Sequence, residues 1–170
     1  MKIMFVSDIH GNIDSLQRIE AIYKDEKVDK IIFLGDMYYE RFETKDEIDE
    51  IIDKFQNKYI IRGNCDTEID ILTSKLSFLP FYYFEAFGKK VFASHGNIYN
   101  IDRFPDKEFD ILIGGHTHKG KIIKKNNKYF LNPGSISYPR DSSEKSYMII
   151  DEKGIYLKDL DKNIIDKTEW

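Results

Sequence analysis

The stretch Ile3-Met4-Phe5-Val6-Ser7-Asp8-Ile9-His10 joins a short apolar run to a carboxylate and an imidazole. A continuous apolar run of this length is typical of a buried strand. Ligand sites in α/β proteins lie outside the carboxyl ends of the strands, which is where Asp8 and His10 would stand. This stretch therefore predicts a buried strand and, at its end, one side of a functional site.

The same arrangement occurs four more times along the chain. An apolar run ends in small residues and then in a side chain that can bind a metal, at Phe33-Leu34-Gly35-Asp36, Ile61-Arg62-Gly63-Asn64, Phe92-Ala93-Ser94-His95 and Ile111-Leu112-Ile113-Gly114-Gly115-His116-Thr117-His118. Any one of these residues alone is equally well explained as a packed histidine or a turn carboxylate. That interpretation does not explain why all 4 histidines of the chain belong to the set. We therefore predict that these strand ends converge on one site.

The segments between these stretches predict the fold. Apolar residues recur at helical spacing over residues 13–23, after the favoured N-cap residue Asn12, and again over residues 48–55. Strand, helix, strand, helix and strand in succession predict parallel strands covered by helices. The second half of the chain predicts a mostly antiparallel sheet behind this mixed one, with hairpins at residues 81–94, 121–131 and 147–157.

The side chains of the predicted site define a class of metal. Four imidazoles, two carboxylates and one amide oxygen, without a thiolate cluster, suit Mn, Fe, Co, Ni or Zn better than an all-oxygen Mg or Ca cage. These ligands are too many for one tetrahedral ion. Two ions about 3.5–4 Å apart that share a carboxylate would use all of them, as in two-metal hydrolases. The candidate ligands are Asp8, His10, Asp36, Asn64, His95, His116 and His118.

Length and composition narrow the class of protein. The chain has 170 residues, a net charge of −4 and one cysteine, and it shows no repeat or linker, so we expect a single domain over residues 1–170. A lone cysteine fits a cytoplasmic location, and no apolar run approaches the ~18 residues of a membrane span. The acidic balance disfavours a stable nucleic-acid partner. The glycine-rich patterns of dinucleotide-binding folds and P-loops do not occur.

As a set, these motifs resemble those of the calcineurin-like metallophosphoesterase superfamily, in the same order from Met1 to about Arg140. The motifs are Asp8-x-His10, Gly35-Asp36, Gly63-Asn64-Cys65-Asp66, His95-Gly96 and Gly115-His116-Thr117-His118. The short chain, the Gly-Asn-Cys-Asp variant and the loop Asn132–Arg140 look most like its small YfcE-like phosphodiesterase branch. The resemblance implies a four-layer α/β/β/α sandwich with mixed sheets and with the site at the strand ends.

The resemblance also implies roles for these residues. One metal would be bound by Asp8, His10 and His118, the other by Asn64, His95 and His116, with Asp36 bridging the two. The implied cofactors are two divalent transition-metal ions, with manganese first and nickel, iron, cobalt or zinc as alternatives. Our hypothesis for the reaction is in-line attack of a metal-bridging hydroxide on the phosphorus of a small phosphate ester. Asn64 would stabilise phosphoryl oxygens and Asp66 would orient its neighbours.

Some candidate residues carry open alternatives. Cys65 stands where the superfamily has a histidine that is often described as the proton donor to the leaving group. Its thiol could donate a proton weakly, be held as a thiolate, or be a packed small side chain. Arg140 could contact phosphate bidentately or form a structural ion pair. The residues soon after Asp36 could line the pocket or pack at the surface, namely Tyr38, Tyr39 and Arg41.

The leading hypothesis is a metal-dependent phosphodiesterase. The enzymatic alternative is a phosphomonoesterase or nucleotide phosphatase, which the sequence does not separate from it. The alternative from another class is a non-catalytic scaffold with a structural metal site, like the retromer subunit of the superfamily. A decayed site of that kind predicts missing ligands, whereas here the whole set is present. Relatives in this branch often form dimers or larger assemblies, so a homo-oligomer is an open expectation.

Overall fold

The computed structural model describes residues 1–38 and 44–170 and arranges their strands in two sheets. The first sheet contains, in spatial order, β12 (Ile164–Glu169), β11 (Gly154–Asp159), β10 (Ser146–Ile150), β1 (Ile3–Val6), β2 (Lys30–Phe33), β3 (Lys58–Ile61) and β4 (Phe78–Leu79). The second contains β5 (Tyr82–Ala86), β6 (Lys89–Ala93), β7 (Ile111–Ile113), β9 (Lys128–Asn132) and β8 (Lys121–Lys125). Both sheets combine parallel and antiparallel pairs, as the predicted fold class requires.

Among the described residues, three helices accompany these strands: α1 (Ile13–Asp25), α2 (Lys45–Asp53) and α3 (Glu68–Thr73). The Asn12 side chain accepts a hydrogen bond from the Ser15 backbone N–H at 2.9 Å, so the predicted N-cap is confirmed. The longest helix, α1, spans 13 residues, and in the described part of the chain no helix has the length and apolarity needed to cross a bilayer.

Strand β1 shows why the central strands are apolar without interruption. Successive side chains of a strand point to opposite faces. Ile3 and Phe5 therefore pack between the two sheets, whereas Met4 and Val6 pack under α1 and α2 on the outer face of the first sheet. Since both faces are covered, a central strand needs apolar residues at every position.

The outer face of the second sheet is covered by the loop of residues 94–110, which contains no helix. Phe92, Leu112 and Phe130 of this sheet form a small apolar cluster with Phe109, and Tyr99 of the loop packs against it. The outermost layer on this side is therefore a loop, and the helices lie on the first sheet and on its connections.

The expectation of a mostly antiparallel second sheet is wrong. Strand β7 is parallel to both β6 and β9, because the loop of residues 94–110 carries the chain back before β7 begins. The hairpin of β10 and β11 belongs to the first sheet, where β10 pairs antiparallel with β1. All five residues of β10 are buried, which suits a strand covered on both faces.

Candidate metal centre

The loops that carry the candidate ligands follow strands that end at the same edge of the fold. Strands β1, β2 and β3 are parallel neighbours in the first sheet, and β6 and β7 are parallel neighbours in the second. Asp8 and His10 follow β1, whereas His116 and His118 follow β7. The two sheets therefore bring residues more than 100 positions apart into contact, as the sequence pattern predicts.

The first group of side chains consists of Asp8, His10 and His118. Asp8 Oδ1 lies 3.2 Å from His118 Nε2 and 3.8 Å from His10 Nε2. The two imidazole Nε2 atoms are themselves 3.2 Å apart. One potential ligand atom from each of these three residues thus lies within 4.8 Å of the other two.

The second group lies around His95. Its Nε2 atom is 3.0 Å from Asn64 Oδ1 and 3.3 Å from Asp36 Oδ2. The His116 ring is close by, with its centroid 5.2 Å from that of His95. One atom each from Asp36, His95 and His116 again lies within 4.8 Å of the others.

Asp36 connects the two groups. Its Oδ2 atom is 3.7 Å from His10 Nε2 of the first group and 3.3 Å from His95 Nε2 of the second. Its Oδ1 atom accepts a hydrogen bond from the Cys65 backbone N–H at 2.8 Å. One carboxylate oxygen is therefore fixed by the protein, while the other faces both histidine groups.

The donor atoms suit a bound cation. The Nδ1 atoms of His118 and His95 donate hydrogen bonds to the carbonyl oxygens of Tyr138, at 2.6 Å, and Leu34, at 2.8 Å. With the ring proton on Nδ1, the Nε2 lone pairs point into the site, as in metal-binding histidines generally. The buried Asp8 Oδ1 has no hydrogen-bond partner in the described part of the chain. Lone pairs that face one another at about 3 Å need a positive charge between them.

The backbone is strained at several of the candidate ligands, which have positive φ angles. Five candidate ligands have positive φ angles: Asp8 (56°), His10 (46°), Asp36 (53°), His116 (66°) and His118 (61°). Such conformations cost on the order of 1 kcal/mol each for residues other than glycine and cluster at functional sites. The close approach of loops also requires Gly115, where a Cβ atom would lie 1.8 Å from Ser7 Oγ and 2.6 Å from Asp8 Oδ2.

Asp66 holds the loop that carries Asp36. One of its carboxylate oxygens accepts hydrogen bonds from the backbone N–H groups of Asp36 (2.9 Å) and Gly63 (2.8 Å). The other accepts from those of Met37 (2.8 Å) and Tyr38 (3.3 Å). Asp66 is buried, and burial raises its pKa despite these N–H donors. Its side chain thus links the loop after β3 to the loop after β2 by hydrogen bonds.

The pKa values follow the pairing of carboxylates with histidines. Burial opposes ionisation of Asp36, but the His95 and His10 rings and the Cys65 backbone N–H together outweigh burial and lower the pKa to about 2. Burial likewise disfavours the charged form of His95, yet Asp36 raises its pKa. The Asp8 carboxylate, which would accept a hydrogen bond from the protonated ring, raises the pKa of His118. Burial lowers the pKa values of the two remaining histidines, His10 and His116. The carboxylates thus attract positive charge to both groups.

The remaining candidates lie around this centre. Cys65 is an exposed residue beside Asp36, and partial desolvation of its thiol together with the Asp36 charge raises its pKa to about 12. Arg140 is exposed, its backbone N–H donates to the His118 carbonyl at 3.2 Å, and its charge opposes protonation of His118.

Tyr38 is buried and its hydroxyl bonds with Asp49, so it packs in the core. Tyr39 and Arg41 lie outside the described residues.

Sequence reasoning missed several contributors from the loop after β9. The Tyr138 carbonyl orients His118, and the half-exposed Tyr138 ring lies 6.1 Å from the His10 ring. The Ser135 hydroxyl donates to the Asp8 carbonyl at 2.8 Å. Among these residues only Arg140 was singled out, because backbone carbonyls and short hydroxyls carry no recognisable spacing in the sequence.

Comparison with known proteins agrees with this geometry. The family model of the calcineurin-like phosphoesterase superfamily domain matches residues 1–154. The chain belongs to this superfamily. Phosphodiesterase YfcE of Escherichia coli K12 is 26% identical over 164 residues, covering 89% of this chain and 88% of that protein. The resemblance to the YfcE-like branch is thereby confirmed, and the chain is a metal-dependent phosphoesterase.

Solved structures show the same fold. The structure of YfcE from Escherichia coli superposes with a TM-score of 0.90 at 24% identity and covers 99% of both chains. The Zn²⁺ complex of Vps29 from Entamoeba histolytica superposes with a TM-score of 0.65 at 22% identity, again with 99% of both chains covered. Since 99% of this chain is covered in both cases, the shared fold includes its two mixed sheets.

Proposed function

We propose that this phosphoesterase hydrolyses phosphodiesters with two divalent ions, manganese foremost, and that residues 1–170 act as one catalytic domain. The observation that carries the proposal is the position of Asp36, whose Oδ2 atom faces His10 in one ligand group and His95 in the other. The names of phosphodiesterase relatives support the substrate class. The mixed nitrogen and oxygen donors support a transition metal.

The residues divide the work between the two groups. Asp8, His10 and His118 would hold one ion, Asn64, His95 and His116 the other, and Asp36 both. Two bound divalent ions supply positive charge and lower the pKa of water toward neutrality. The chain keeps the imidazole lone pairs aimed inward through the Tyr138 and Leu34 carbonyls. This preorganisation avoids a reorganisation cost when charge develops on the phosphoryl oxygens.

Three further residues would act on the substrate or its surroundings. The Asn64 amide donates to Cys65 Sγ at 3.4 Å, which turns its Oδ1 atom toward His95. This fixes Asn64 at the edge where equatorial phosphoryl oxygens would bind. Asp66 keeps Asp36 in place through the backbone, and Arg140, whose backbone N–H donates to the His118 carbonyl, would offer its guanidinium group to phosphate.

Turnover should depend strongly on the leaving group. All 4 histidines are assigned as ligands, so none is left to act as a general acid, and a neutral thiol such as that of Cys65 is a weak proton donor. The proton-transfer contribution of about 10²–10⁴-fold is therefore missing. We expect rates to fall steeply as the pKa of the leaving phenol rises across a series of aryl phosphodiesters. A flat dependence, with chemistry rate-limiting, would show that an efficient acid is present.

The proposed function is tested with aryl phosphodiesters, phosphomonoesters and nucleotides across several metals. We expect the highest kcat/KM for a diester with manganese, and a loss of at least about 100-fold in His116→Ala, since even indirect partners of metal ligands contribute 10–100-fold. Lys119→Ala, in the same loop but exposed, is the matched control.

Other outcomes separate the alternatives. A preference for monoesters would indicate a phosphatase, and bound metal without any turnover would indicate a scaffold. The cytoplasmic location and the homo-oligomer stay predictions, to be checked by cell fractionation and by light scattering.

A further inference from the structure

A cavity adjoins the candidate metal centre. It has a volume of about 320 Å³ and shares Asn64 and His95 with the centre. Its other lining residues are Arg62, Gly63, Pro80, Ser94, Asn97, Ile98 and Tyr99. A phosphate ester held at Asn64 and His95 would therefore have this cavity beside one of its ester groups.

The cavity carries positive charge in an acidic protein. Among the described residues that line the cavity, Arg62 is the one permanently charged side chain and none is a carboxylate, although the chain has a net charge of −4. The Arg62 Nε–H donates to the Asp66 carbonyl at 3.1 Å. In the described residues its other guanidinium N–H groups make no hydrogen bond and no ion pair. A guanidinium held at one edge presents the rest of its planar fork to a carboxylate or phosphate.

The remaining walls suit an organic group. Pro80, Ile98 and Tyr99 contribute apolar surface, and Asn97 contributes an amide. The Ser94 hydroxyl at the wall is buried and has no hydrogen-bond partner in the part of the chain that is described. The cavity volume of about 320 Å³ lies in the range of small-molecule sites. It is larger than the space that a lone phosphate group needs.

We propose that this cavity, which we call the Arg62 pocket, binds an organic arm of the phosphate ester that ends in a second anionic group. Arg62 pairs with that anion, while Pro80, Ile98 and Tyr99 pack against the arm. The inference rests on the proposed phosphodiesterase function and adds a substrate class to it: diesters with a carboxylate or phosphate on one arm. Arg62 is here a specificity residue, distinct from the metal-binding groups.

The test uses substrates that share one leaving group. The reference is 4-nitrophenyl phenyl phosphate. Its two analogues carry a carboxylate or a non-hydrolysable phosphonomethyl group at the para position of the phenyl arm. We expect KM to be about tenfold lower for an anionic arm than for the neutral arm, as one charge-assisted contact provides. Whichever analogue gains more identifies the carboxylate or the phosphate as the preferred anion.

Variants assign the effect to Arg62. In Arg62→Gln the KM preference for anionic arms should vanish, and in Arg62→Lys, which keeps the charge without the fork, it should shrink to about two- to threefold. Arg103→Gln removes an exposed arginine outside the pocket and should keep the full preference. If Arg62→Gln does not fold, the reduced KM preference expected in Arg62→Lys still tests whether Arg62 binds the anionic arm.

Equal KM values for the three substrates in the wild-type protein, or a preference that persists in the Arg62 variants, would overturn this inference and leave the phosphodiesterase function standing. Absence of turnover with all three substrates would overturn both.

Discussion

Replacing Asp36 by asparagine is expected to abolish nearly all turnover and to reduce bound metal below two ions per chain. The carboxylate Oδ2 atom faces His10 on one side and His95 on the other, and an amide offers no negative charge at that position. Since metal ions contribute several kcal/mol of charge stabilisation, a loss of about 10³-fold in kcat/KM is expected. The change is nearly isosteric, so the fold should persist.

Metal analysis and steady-state kinetics on the same preparation measure both effects of Asp36→Asn. Asp106→Asn, which removes an exposed carboxylate from the loop of residues 94–110, is the matched control and should behave as wild type. Two ions per chain in Asp36→Asn, or undiminished turnover, would show that Asp36 does not bridge the groups.

Asp66→Asn is expected to lower the free energy of unfolding by about 3 kcal/mol. The two Asp66 oxygens accept four backbone N–H groups, and an amide can accept on only one side. Its NH₂ group would face buried donors, which then lose their partner at a cost of about 1–3 kcal/mol each. Because the Asp36 backbone is one of these donors, kcat/KM should fall as well.

Urea denaturation with and without added manganese measures the effect of Asp66→Asn. The matched control is Asp70→Asn at the start of α3, where the side chain caps an exposed helix and a change of about 1 kcal/mol or less is expected. A wild-type unfolding free energy in Asp66→Asn would mean that the loop after β2 is anchored by other contacts.

The strands and the site were predictable because their signals are local. Strand β1 has apolar residues at every position, and its alternate side chains fill two different cores. Each such strand is followed by a small residue and then by a polar side chain that can bind a metal. This change of residue type marks where the chain leaves the sheet. Asp8, His95 and His118 meet because parallel strands share their carboxyl edge, so the convergence follows from the pattern without knowledge of the loops.

The remaining features depend on tertiary contacts that leave no such signal. The sheet to which β10 belongs is decided by its pairing with β1, some 140 residues earlier. Helix α3 has no buried residue, so it shows no apolar periodicity and is marked only by its capping box. The positive φ angles of the ligand residues and the guanidinium environment of Arg62 are likewise set by surrounding loops rather than by residue type.

Anomalous diffraction from crystals grown with manganese tests the central claim most directly. The account predicts two manganese peaks per chain, one beside Asp8, His10 and His118, the other beside Asn64, His95 and His116, with Asp36 in contact with both. A single peak, or two peaks with Asp36 in contact with neither, would contradict it.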